Sequence, residues 1–196
     1  MKEEQAQEIF DRFYPERDSL RENLSLHCRQ VRGKALEILD ALPSEERAKL
    51  DNDTVVCGAL LHDVGIRLCH APDIFCFGES PYLCHGLLGA EMLREYGREH
   101  GLDLEKFARI CERHTGSGLT SSEIEKASLP LPARDFLPET LEEKLVCLAD
   151  KFFSKSGNMK EKSPEKVYKS MAKFGRDPLK RFEALCGLFH VKTAKE

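Results

Sequence analysis

Apolar positions recur at three- and four-residue spacing along nearly the whole chain, the pattern of helices that bury one face. Residues 3–14 form a short amphipathic segment closed by Pro15. From Ser19 to Leu42 the positions Leu20, Leu24, Val31, Ala35, Leu36 and Leu39 predict a long helix. Pro43 and Ser44 break it, and Ser44-Glu45-Glu46-Arg47 opens a new acidic first turn. A helix from about Thr54 to His62 is predicted to end at Asp63-Val64-Gly65, where Gly65 suits a C-terminal cap. Residues 66–80 read as loop. Pro81 suits the first turn of a helix running to about Tyr96, and Asp103 is expected to cap one ending at His114. Residues 115–138, rich in Gly, Ser and Pro, are predicted irregular apart from a turn of helix at 121–126. Thr140 opens a strong helix through Ser154, and 163–174 and 177–190 complete the set. No strand series or repeat is visible. The expectation is an all-α single domain over 1–196, with chemistry in about 20–155 and core-completing helices in 156–196.

Composition narrows the function classes. The chain has 196 residues, 41% hydrophobic and 33% charged, enough for a sizeable core. Its apolar runs fall short of a membrane span, and the polar start Met1-Lys2-Glu3-Glu4-Gln5 has no apolar signal-peptide core, so a cytoplasmic protein is expected. A net charge of −4 speaks against an extended nucleic-acid surface. It leaves room for a small phosphorylated substrate met by a local basic patch. No two of the eight cysteines stand in a C-x-x-C spacing, so reduced thiols packed as small hydrophobes are expected.

The chemistry gathers around His62-Asp63, at the end of the apolar run Val55–Leu61. An ionisable pair there is costly unless compensated, and a divalent metal compensates it well. His27, His85, His114 and Asp150 supply further nitrogen and oxygen donors of the kind that hold hydrolytic metals. At a helix terminus both side chains of the doublet can reach one centre. The two oxygens of Asp63 then make it the natural bridge between two ions.

The ordered set His27, Leu61-His62-Asp63-Val64-Gly65, His85-Gly86, His114-Thr115 and Ala149-Asp150 resembles the HD superfamily of metal-dependent phosphohydrolases. It is similar to the small branch with a His-Asp-Ile-Gly motif and to small HD enzymes that split dinucleoside polyphosphates. The resemblance covers about residues 20–155. It implies a helical domain with the metal site between helices, and divalent ions, two of them, drawn from iron, manganese or zinc. His27, His62, Asp63 and Asp150 would hold the first ion; Asp63, His85 and His114 the second. The implied activity is hydrolysis of a small phosphoester or phosphoanhydride, with nucleotides and dinucleoside polyphosphates among the candidates.

Many relatives place a lysine just after the doublet; here Ile66 stands there, with Arg67 next. Asp63, Arg67 and Lys151 are the expected catalytic residues. Arg67, Arg113 and Lys151 are the expected phosphate contacts, with Lys155 a weaker candidate. Phe75, Phe77 and Tyr82 fit either a stacked nucleobase or loop packing. Gly116 and Gly118 fit either close approach to a phosphate or simple turns. His70, His100 and His190 match no position of the motif and are read as surface or capping residues. The polar stretch 155–166 is expected to be a solvated connection. Two other classes fit the same ligand set: a metal- and nucleotide-binding regulatory module without turnover, and a di-iron oxygenase.

Overall fold

A computed structural model describes residues 1–193; positions 194–196 of the expected domain lie outside the described residues. The fold is mostly helical, in the order α1 (Glu3–Phe13), α2 (Ser19–Ala41), α3 (Ser44–Arg47), α4 (Asn52–Leu61), α5 (His85–His100), α6 (Glu105–Arg113), α7 (Ser121–Lys126), α8 (Leu141–Asp150), α9 (Pro164–Ala172) and α10 (Arg176–Leu188). Side-chain caps set several starts. Asp18 accepts from the Arg21 amide at 2.8 Å, Asp51 from the Asp53 amide at 3.1 Å, and Thr140 from the Glu143 amide at 3.2 Å. Asp51 therefore starts α4 two residues before the predicted Thr54.

The four central helices form the frame: α2 packs on α4 and α8, α4 on α6 and α8, and α6 on α8. One apolar cluster joins α2 and α8 to α9 and α10, through Leu39, Leu145, Leu148, Phe152, Val167 and Phe182. A second joins α1, α4, α5 and α6, through Phe10, Leu61, Ile66, Leu93 and Phe107. Helix α4 carries Val55, Cys57, Ala59, Leu60 and Leu61 in these clusters, which explains its apolar run. No helix among the described residues is long and apolar enough to cross a membrane.

Four expectations are corrected. Residues 66–80 are not plain loop: after a 3-10 turn at Val64–Leu68 they form a small sheet of β1 (Cys69–Ala71), β2 (Cys76–Phe77) and β3 (Ser80–Pro81). β1 lies in the middle, antiparallel to β2 and parallel to β3. Because Pro81 belongs to β3, α5 starts only at His85. It runs on to His100, where Gly101 at φ 65° closes it. Helix α8 stops at Asp150 instead of Ser154; the next amides, of Phe152 and Phe153, bond back three residues, to Ala149 and Asp150. Gly65 is not a left-handed cap. It lies inside the 3-10 turn, where a Cβ would fall 2.1 Å from the His85 carbonyl oxygen and 2.3 Å from the Gly89 nitrogen. Its lack of a side chain lets this turn lie directly against α5.

Candidate metal centre

The central helices and the start of α5 bring the six predicted ligands to one buried point. His27 comes from mid-α2, His62 and Asp63 from the end of α4, His85 from the first residue of α5, His114 from just past α6, and Asp150 from the last residue of α8. All six are buried. Their donor atoms fall into two groups: His27, His62, Asp63 and Asp150, and Asp63, His85 and His114. Asp63 divides its oxygens between them. Oδ2 lies 3.1 Å from His27 Nε2 and 3.0 Å from His62 Nε2. Oδ1 lies 3.4 Å from His85 Nε2 and 3.3 Å from His114 Nε2. Asp150 Oδ1 stands 3.0 Å from His27 Nε2 and 3.6 Å from His62 Nε2.

Three of the imidazoles are aimed by the backbone. Nδ1 of His62, His85 and His114 lies 2.8, 2.6 and 2.6 Å from the carbonyl oxygen three residues earlier, of Ala59, Tyr82 and Cys111. A carbonyl only accepts, so Nδ1 carries the proton and Nε2 faces the centre. This fixed tautomer is the arrangement that orients metal-bound histidine.

Two observations test whether the residues fit divalent metal. His27 Nε2, His62 Nε2 and both Asp63 oxygens are buried yet form no hydrogen bond of proper geometry. Buried donors and acceptors left this way call for a missing partner, and an ion is one. His85 Nε2 and His114 Nε2 face each other at 3.1 Å. Burial pushes the His85 imidazole down to about 3 despite Asp63, and lowers His114 as well. Burial thus favours the neutral form of both rings, and with each Nδ1 donating to a carbonyl the two Nε2 lone pairs meet where a cation would relieve them. The donor set fits.

Charge at the first group is already balanced by the chain. Burial would raise the Asp63 carboxyl, but His62 and Lys155 outweigh it and hold it well below the ordinary carboxylate range. Burial likewise opposes charge on Asp150; Lys151 and Lys155 outweigh it. His62, in turn, is held well above its ordinary value by Asp63 and Asp150 against its burial. An ion held at His62 Nε2 would compete with a proton there, so loading would be coupled to pH.

The predicted cations separate. Lys151 Nζ is 2.8 Å from Asp150 Oδ2 and donates to the His114 carbonyl at 3.1 Å, beside the centre. Arg67 stands apart, exposed, with its guanidinium over the Tyr14 ring at 5.6 Å. Arg113 is engaged in an ion network, 2.8 Å from Glu139 and donating to the Leu137 carbonyl at 3.1 Å. Lys155 is the residue the sequence undervalued. The segment that begins with it was expected to be solvated, yet its Nζ lies 2.8 Å from Asp63 Oδ2 and 3.9 Å from Asp150 Oδ1.

A cavity of about 590 Å³ opens beside Asp150 and Lys155, walled by His70, Tyr82, Phe153 and Ser154. His70, read as a surface or capping residue, is exposed and lines this cavity. Tyr82 stacks on His85, ring centres 4.8 Å apart. Phe75 borders a neighbouring cavity, and Phe77 projects 74% exposed. Gly116 and Gly118, at φ 61° and 85°, occupy turn positions that favour glycine. Neither metal group contains sulfur. Cys111 Sγ instead donates to the His62 carbonyl at 2.9 Å, and Cys147 Sγ to that of His114 at 3.5 Å.

The ligand partition predicts a selective defect. His114→Ala removes a donor from the Oδ1 side alone, so native mass spectrometry of the manganese-loaded chain should show one ion retained. Loss of both would overturn the partition.

A buried two-group His/Asp cage between helices defines the class, and sequence comparison agrees. A family profile for the HD domain matches residues 24–154. The chain belongs to the HD domain family. An uncharacterised protein of Methanocaldococcus jannaschii is 40% identical over 129 residues, 66% of this chain and 65% of that protein. A tRNA (cytidine(56)-2′-O)-methyltransferase of Picrophilus torridus is 36% identical over 128 residues, 65% of this chain and 30% of the enzyme. The enzyme of the same name from Thermoplasma volcanium is 31% identical over 134 residues, 68% of this chain and 32% of the enzyme. The chain thus spans about a third of each of these two methyltransferases. No solved structure is significantly similar to it.

Proposed function

We propose that this chain is a metal-dependent phosphohydrolase acting on a small phosphoester or phosphoanhydride, a nucleotide-like compound among the candidates. The observation that carries the reading is Asp63, which offers one oxygen to each of two donor groups. A divalent pair supplies Lewis acidity toward phosphoryl oxygens and a water made acidic near neutral pH. The first ion would be held by His27, His62, Asp63 and Asp150, the second by Asp63, His85 and His114. Iron, manganese and zinc all suit this donor mix.

The chain's own residues do the rest. The carbonyls of Ala59, Tyr82 and Cys111 keep the histidines from turning. Lys155 reaches the centre from the cavity side, so an arriving phosphate meets its ammonium first. Lys151, tied to Asp150 and the His114 carbonyl, steadies the same edge. Positive groups fixed where phosphoryl charge develops stabilise the transition state without reorganisation. Lys155 and Lys151 take the role expected of Arg67. The cavity walls position the group attached to the phosphate.

The test is turnover of a phosphomonoester, phosphodiester and nucleotide panel by purified chain loaded with manganese, iron or zinc. Metal-dependent phosphate release is expected. Lys155→Met should lower kcat by roughly 10²-fold, the usual effect of losing one transition-state donor. Tight nucleotide binding without turnover would replace this reading with a regulatory module, and oxygen-dependent product formation with a di-iron oxygenase.

A further inference from the structure

The cavity beside the centre is one of a pair. A second, of about 470 Å³, is bordered by Glu22, Asn23, Leu26 and Phe75. Both include Asp73, Lys155 and Ser156 in their walls, so they adjoin at these three residues. Each lies within the usual size of a small-ligand site, about 300–1,000 Å³. Each also presents an aromatic ring, Tyr82 in the first and Phe75 in the second. Lys155, at the junction, reaches the bridging carboxylate.

Phe75 is unusual in two ways. It sits in the left-handed region, φ 63° and ψ 25°, held there by its amide bonding to the Pro72 carbonyl at 2.9 Å. That conformation is an outlier for a bulky side chain. Its ring is also 52% exposed, so core packing does not account for it. Backbone strain retained at a cavity edge is a signature of a ligand-facing position.

Charge restricts what can lie across the pair. Lys155 is the sole lysine or arginine among the described residues of either lining. The second cavity adds Glu22 and Asp73, and the first shares Asp73, its Asp150 belonging to the metal group. Beyond the phosphate held at the centre, further phosphates of a chain would extend toward Glu22 and Asp73, where neither lining offers a second ammonium. A single phosphate at the centre, flanked by uncharged groups, meets no such repulsion. Glu22 and Asp73 accept hydrogen bonds, which suits a flat ring bearing N–H donors.

We propose that the substrate is a phosphodiester with an uncharged arm on each side: one in the Tyr82 cavity, the other stacked on Phe75 with its donors toward Glu22 and Asp73. This rests on the phosphohydrolase reading for turnover, and on the two cavities for binding. The reaction splits one P–O ester bond with one water; phosphorus keeps one arm and the water oxygen, and the other arm leaves with a proton as its alcohol.

The test is isothermal titration of the manganese-loaded full chain with adenylyl-(3′→5′)-adenosine, adenosine monophosphate and diadenosine tetraphosphate. Turnover of each is followed separately by chromatography. The diester should bind at least tenfold more tightly than either competitor. Phe75→Ala should remove most of that advantage, while Phe75→Tyr retains it. Equal affinity for diester and monophosphate, tightest binding of the tetraphosphate, or a Phe75→Ala variant that binds the diester like wild type would overturn the two-armed site. Diester binding with the expected Phe75 dependence but no turnover would sustain it and overturn hydrolysis instead.

Discussion

Asp63→Ala should strip the protein of both metal ions and of turnover in a single step. Each oxygen of this carboxylate serves a different donor group, so one substitution removes a ligand from both. Removing a partner that only orients a ligand costs about 10–100-fold in metal affinity. Losing a shared ligand should exceed the upper end of that range at both groups. The variant also leaves His62 and Lys155 buried with half their countercharge gone. Breaking a buried ion pair from one side costs about 3–5 kcal/mol. Elemental analysis and thermal melting of the metal-free protein read the two effects separately. Wild-type metal content in the variant would remove Asp63 from the centre.

This centre was largely legible in the sequence because its ordered His/Asp set resembles that of the HD family, and helices then fix its geometry. His27 lies within a long apolar repeat, and His62-Asp63 and Asp150 mark the ends of two apolar helices, α4 and α8. Once those helices pack side by side, the donors have little freedom. What escaped depends on where regular structure stops. Strands of two and three residues around Cys69 and Cys76 are too short to show a period of two. Arg67 stood near the doublet in sequence, but the 3-10 turn Val64–Leu68 carries it toward Tyr14. Lys155 reached the centre because α8 ends at Asp150 and the following residues fold back; a helix continued to Ser154 would give a different direction. Phe75 had an ambiguous reading because its left-handed backbone is imposed by the Pro72 turn, not by its own preference.

Gly65→Ala should destabilise the fold and loosen the second metal group in preference to the first. The new methyl would meet backbone on every near side: the His85 carbonyl oxygen at 2.1 Å, the Gly89 nitrogen at 2.3 Å and the Gly89 Cα at 2.8 Å. No side chain can rotate away, so the 3-10 turn and α5 must separate. Overpacking commonly costs about 1–3 kcal/mol, and a clash between backbones belongs at or above the top of that range. For a chain of this size, ~3 kcal/mol corresponds to a fall of about 6–12 °C in Tm. The nearest atom belongs to His85, whose Nε2 faces Asp63 Oδ1 at 3.4 Å. Moving α5 therefore withdraws a donor from the Oδ1 side. His27, His62 and Asp150 belong to α2, α4 and α8 and keep the Oδ2 side. Metal titration should show the second equivalent weakened and the first nearly intact. Gly101→Ala supplies the control: at φ 65° with nothing within 4 Å of the added methyl, it costs about 1 kcal/mol through the backbone and leaves metal binding alone. Equal effects of the two substitutions on the second equivalent would mean that the close approach at Gly65 does not hold His85 in place.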